Sequence, residues 1–180
     1  MTGSPTTEDL GAYRDYLLAV ARAQVPWDLR GRVDPSDVVQ ETLFEAVRDR
    51  DGFRGRSGPE LMGWLRSLLR FNLIDRLRRQ KLENRVVSLD DAIDRTSRGM
   101  GRFAIDPGTS AGGRAERAEA ALHLATLLGR LPEAQADAIV LKHCLGMSVA
   151  EIGRHMNRTP CAVGGLLRHG MRRLREALKE

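Results

Sequence analysis

The stretch Trp64–Lys81, WLRSLLRFNLIDRLRRQK, constrains the fold more than any other. Leu65, Leu68, Leu69, Ile74 and Leu77 recur at helical spacing, while Arg66, Arg70, Arg76, Arg78, Arg79 and Lys81 fill other faces and the C-terminal end. A helix so patterned buries one side in a core and turns a cationic side to a polyanion. Its last turn also sets positive charge where the helix dipole favours it. Taken alone, this could be an ordinary solvated face. A second basic helix downstream, in a helix-turn-helix context, makes nucleic acid the better reading.

The remaining elements follow from caps and breakers. Leu10, Tyr13, Leu17, Val20 and Ala21 form a helical stripe across Thr7–Val25, ended by Pro26. Asp34 is placed to cap a helix whose first residue is Pro35, where the missing N–H costs nothing. That helix runs to about Arg50. Ser57 and Glu60 have capping-box spacing and launch the central helix, about Pro59 to Glu83. The stretch 86–114 is rich in Gly, Ser, Asp and Thr with weak periodicity, and it reads as a linker holding at most a short turn. Periodicity returns over Ala115–Leu131, and Pro132 starts a further helix to about Cys144. Ser148 with Glu151 repeats the capping-box spacing, Asn157–Arg158 makes a turn, and Thr159-Pro160 opens a last helix to about Leu178. No strand pattern occurs. The expected fold is all-α, with two small helical domains, 7–85 and 115–180, joined by a flexible linker, 86–114.

Charge is segregated along the chain. Among its 180 residues, 29 Lys+Arg exceed 24 Asp+Glu for a net charge of +5. Acids dominate from Asp34 to Asp51, and bases dominate from Arg168 to Lys179. Different faces are therefore expected to meet different partners. Cys144 and Cys161 stand apart from any CxxC or His/Cys cluster, so no zinc site or other metal site is expected, and both read as buried reduced thiols. No cofactor motif appears. The N-terminus lacks the pattern of a secretory signal, and no apolar run approaches the roughly 20 residues of a membrane span, so a cytoplasmic protein with no membrane insertion is expected.

The C-terminal unit MSVAEIGRHMNRTPCAVGGLLRHGMRRLREAL reads as a helix-turn-helix. Ala150 and Gly153 supply small residues for a close helix crossing, and the helix opening at Thr159 points its first turn at base edges in the major groove. Arg158, Arg168, His169, Arg172 and Arg173 are placed to meet phosphates or bases.

Together these segments resemble bacterial sigma factors of the sigma-70 family. DPSDVVQETLFEAVRDRDGFRG followed by LMGWLRSLLRFNLIDRLRRQ is similar to regions 2.1 to 2.4, and LPEAQADAIVLKHCLGMSVAEIGRHMNRTPCAVGGLLRHGMRRLREAL is similar to region 4. The presence of these two regions alone resembles the extracytoplasmic-function (ECF) group. The resemblance implies a protein that binds core RNA polymerase and promoter DNA, directs promoter recognition and opening, and is no enzyme. It assigns polymerase docking to Asp37, Gln40 and Glu41. It assigns the −10 element to Arg54, Arg56, Ser57, Arg66, Arg70, Asn72, Asp75, Arg76 and Arg79, with arginines on phosphates and Asn and Asp on an exposed base edge. It assigns the −35 element to Arg158, Thr159, Arg168, His169, Arg172 and Arg173. An anti-sigma partner is a further implication. Trp64 and Phe71 are candidates for base stacking or, more simply, for packing.

One feature departs from the family pattern. Gly164-Gly165-Leu166 stands where polar or basic residues are common, so base-reading positions are partly empty. Either the glycines let the backbone approach DNA closely, or phosphate contacts from Arg168, Arg172 and Arg173 dominate. The alternative function is a stand-alone helix-turn-helix regulator of duplex DNA, which needs no acidic DxxQET helix. An enzyme is disfavoured because His123, His143, His155 and His169 are scattered, with no carboxylate cluster or phosphate loop beside them.

Overall fold

The computed structural model describes residues 10–55, 57–80, 89–104 and 113–179, and the elements among them are helical. Helix α1 (Arg14–Gln24) buries Tyr16, Leu17, Val20 and Ala21 completely. A short 3-10 turn, Trp27–Leu29, follows Pro26. Helix α2 (Pro35–Arg48) opens where the sequence demands, with the Asp34 carboxylate accepting from the Ser36 N–H at 2.7 Å. Helix α3 (Gly58–Arg79) starts with a complete capping box between Ser57 and Glu60. It carries Leu61, Leu65, Leu69, Leu73 and Leu77 into the core.

The stretch expected to be a linker with at most a short turn contains helix α4 (Leu89–Ala104). Its inner face is Leu89, Ile93, Thr96, Ser97 and Met100, each at most 9% exposed. The hydroxyls are what hid the stripe from a hydropathy reading. Both are satisfied inside: Tyr16 donates to Ser97 Oγ at 2.7 Å, Gln24 Nε2 donates to Thr96 Oγ1 at 3.0 Å, and Thr96 donates to the Ala92 carbonyl. Burying Leu89, Ile93 and Met100 is worth about 1.5–3 kcal/mol for each side chain, which holds the helix in place.

Helix α5 (Arg114–Gly129) packs on α4 and α1. Helix α6 (Glu133–Ile139) continues through a π-turn, Val140–Cys144, and ends near Gly146, whose φ of 72° suits glycine. The last two helices are α7 (Val149–Met156), opened by the Ser148–Glu151 capping box, and α8 (Pro160–Ala177), capped by Thr159. Asn157 takes the left-handed conformation between them. Gly153 lets the turn close, because a Cβ there would come within 2.7 Å of the Arg158 carbonyl oxygen. Ala150, the other small residue expected at the crossing, is exposed instead.

The buried side chains form one continuous cluster that runs from Leu10 to Leu174. The two helical units therefore share a core, with α1 and α4 at its centre. Across their contact, Arg30, 13% exposed, pairs with Asp137, 5% exposed, at 2.7 Å. Trp27 Nε1 donates to Asp137 Oδ2 at 3.1 Å, and Arg22 and Arg30 both reach Glu133. Burial pushes the Asp137 carboxyl above its usual range, against the pull of Arg30. Cys144 is buried and its thiol is pushed up to about 12 by burial; Cys161, expected to be buried, is exposed in the first turn of α8.

Candidate nucleic-acid and polymerase interface

Two faces lie side by side on α2 and α3. On α2, Asp37, Gln40 and Phe44 follow one another at helical spacing and are exposed, Phe44 to 70%. Glu41 lies between them but is half-buried, since its carboxylate accepts from Arg76 at 2.9 Å. Phe44 thus presents an apolar ring to solvent beside a carboxylate and an amide. Phe44 was missed because helical spacing alone does not distinguish it from its core neighbours.

On α3, Phe71 is 59% exposed, and the Arg70 guanidinium lies 4.6 Å from its ring centroid. Phe71, Asn72, Asp75, Arg78 and Arg79 border an open groove of about 430 Å³, closed on its other side by Glu41 and Glu45. Asp75 and Arg79 pair at 2.6 Å one turn apart. The Asn72 amide donates to Thr42 Oγ1 at 3.2 Å and to Glu45 Oε2 at 2.9 Å, which fixes its side chain at the groove wall. Trp64 packs half-buried against Phe53, with ring centroids 5.3 Å apart, leaving Phe71 as the exposed ring.

The other candidates for the −10 element are scattered. Arg54 is exposed in the loop before α3, and Ser57 is spent on the cap of that helix. Arg56 lies outside the described residues. Arg66 turns inward: its Nη1 donates to Ser97 Oγ at 3.1 Å and to the Tyr16 hydroxyl at 3.3 Å, and its Nε sits 3.4 Å from Asp94 without hydrogen-bond geometry. Arg66 is thus a core cation bridging α1, α3 and α4, placed away from the exposed face. Burial raises the pKa of the Tyr16 phenol despite this guanidinium.

On the C-terminal unit, Arg168, His169, Arg172 and Arg173 are all exposed along α8, with Arg158 and Thr159 exposed at its start. The Thr159 hydroxyl caps the helix by accepting from the Ala162 N–H at 3.2 Å. Arg158 lies 5.4 Å from the Trp27 ring centroid, and Arg173 donates to Gln135 at 3.4 Å. The glycines divide by cause. Gly170 is packed, since a Cβ would come within 3.0 Å of Ile139 Cδ1, whereas a Cβ on Gly164 or Gly165 would meet nothing within 4 Å. No internal contact requires those two glycines.

Comparison with protein families matches residues 10–83 to the model described as "Sigma-70 region 2" and residues 122–174 to that described as "Sigma-70, region 4". No curated protein and no solved structure matches the chain. Among the described residues no helix is long and apolar enough to cross a membrane. Sigma regions 2 and 4 serve promoter recognition with core RNA polymerase, and their succession here on two helical units outweighs the stand-alone regulator. With region 2 on α1–α3 and an ECF-type region 4 on α5–α8, the chain belongs to the sigma-70 family and is a sigma factor of the extracytoplasmic-function type.

Proposed function

We propose that Asp37, Gln40 and Phe44 dock the protein on core RNA polymerase, while the neighbouring Phe71–Arg79 groove holds the non-template strand of the −10 element. The exposure of Phe71 among Asn72, Asp75, Arg78 and Arg79 carries this reading. A base leaving the duplex would stack on Phe71, worth about 1–3 kcal/mol, and present its edge to Asn72 and Asp75. Arg54, Arg70 and Arg79 supply the positive field for the strand, and Arg76 holds Glu41 in register between the two faces. Such contacts exist only to the open strand, so they favour melting without a chemical step. The protein is then no enzyme; it acts in the cytoplasm, where polymerase works. An anti-sigma partner would act by covering the same faces.

Transcription in vitro with purified core polymerase tests the function directly, with promoter-specific product expected only when the chain is added. The docking face is tested by Asp37→Lys with Gln40→Arg, which spares the Glu41–Arg76 pair. Polymerase co-purification is expected to be lost with helical content unchanged; retained co-purification would remove this face from the contact.

Helix α8, with Arg168, His169, Arg172 and Arg173 on its outer side and Arg158 and Thr159 at its start, takes the −35 element. With Gly164 and Gly165 empty in front, phosphate contacts dominate its affinity. Arg168→Ala with Arg172→Ala is expected to lower the slope of log affinity against log salt by about 2, in a titration of promoter fragments with the polymerase holoenzyme. An unchanged slope would take α8 off the DNA.

A further inference from the structure

A cleft of about 670 Å³ opens where α3, α4 and α5 meet, distinct from the Phe71 groove and from α8. Glu60 and Arg66 line it together with four further arginines, Arg98, Arg102, Arg114 and Arg117. All four are exposed, and among the described residues none has an ion-pair partner. The one acid among its described lining residues is already engaged. Glu60 accepts from the Ser57 N–H and hydroxyl at 3.0 Å each, and Asp94 faces Arg66. Four like charges gathered in one concavity repel each other and focus a positive potential, which a bound anion relieves. The rest of the lining includes Met62, Ala118 and Ala121, which are buried and apolar.

We propose that this cleft is a binding site for a nucleoside oligophosphate. Guanidinium groups pair with phosphate oxygens through two parallel N–H bonds each, so four of them suit a chain of phosphates better than a lone anion. Phosphates alone leave the apolar edge of the lining at Pro59 and Met62 unmatched, and a purine ring is a flat group that suits it. The volume falls within the roughly 300–1,000 Å³ usual for small-ligand sites. Because α3 belongs to region 2, α5 leads into region 4 and α4 joins them, a ligand here fastens the two halves together.

The inference does not rest on the promoter reading, since its readout is binding in the absence of DNA and polymerase. The full-length chain is titrated calorimetrically with ATP and, separately, with sodium tripolyphosphate. One saturable site is expected, at least about tenfold tighter for ATP, with a rise in melting temperature at saturation. Arg102→Ala with Arg117→Ala is expected to weaken ATP at least about tenfold, and so is Arg98→Ala with Arg114→Ala, which decides the matter if the first pair fails to fold. Arg168→Ala with Arg172→Ala is expected to bind as the wild type does. Absence of saturable binding, equal affinity for tripolyphosphate, unchanged affinity in folded cleft variants, or loss in the α8 variant would each overturn the assignment.

Discussion

Asp137→Ala is expected to lower the free energy of unfolding by about 3–5 kcal/mol, because it leaves a nearly buried guanidinium without its counter-charge. Arg30 is held on every side: by Asp137, by Glu133, by the Val25 and Arg22 carbonyls, and by the Trp27 ring 4.8 Å away. It cannot swing to water without breaking that arrangement. The pair itself is a weak source of stability, since dehydrating two charges costs about what their attraction returns. Arg30→Met with Asp137→Leu is therefore expected to recover most of the loss, in urea denaturation at neutral pH. Equal destabilisation in single and double variants would show that packing, not unpaired charge, sets the cost.

Gly99→Ala is expected to cost about 1–3 kcal/mol and to loosen α4 from the π-turn. A Cβ at Gly99 would land inside the contact distance of the Cys144 carbonyl oxygen, and one at Gly101 would come within 2.9 Å of the Arg117 carbonyl. Neither obstacle is a movable side-chain tip; both are backbone. Amide hydrogen exchange should show lost protection in α4 and in Val140–Cys144, with the Ser57-capped start of α3 unaffected. Gly164→Ala is the matched control, since its Cβ meets nothing. It should stabilise α8 by up to about 1 kcal/mol through helix propensity. If both variants behave alike, close approach is not what seats α4.

Much of this fold is written locally. Asp34, Ser57, Ser148 and Thr159 cap the helices whose starts they mark in the sequence, because a cap needs only residues two or three positions away. Helix α4 was not legible in that way. Its buried face spends Thr96, Ser97 and Gly99 where a hydropathy pattern looks for leucine, and the distant partners of the two hydroxyls lie on α1 and α3. The candidate site divides along the same line. Exposure of Arg168, His169, Arg172 and Arg173 follows from helical phase against Val163, Gly170 and Leu174. The employment of Arg66 by Tyr16 and Ser97, and of Asn72 by Glu45, depends on partners 27 to 50 residues away, which spacing does not reveal. Asp137 carried a faint signal, an acid set within the apolar run AQADAIVL, but nothing nearby in the sequence pointed to Arg30 or Trp27.

The stacking of Arg158 on Trp27 has a consequence for how firmly the start of α8 holds a phosphate. An arginine that leaves an indole face for a phosphate gives up about 0.5–1 kcal/mol at an exposed site. That is a few-fold in affinity, far short of a lock. On the proposed reading of α8, the Trp27 ring is thus a weak brake on DNA at Arg158, graded in strength and open to tuning at a single position.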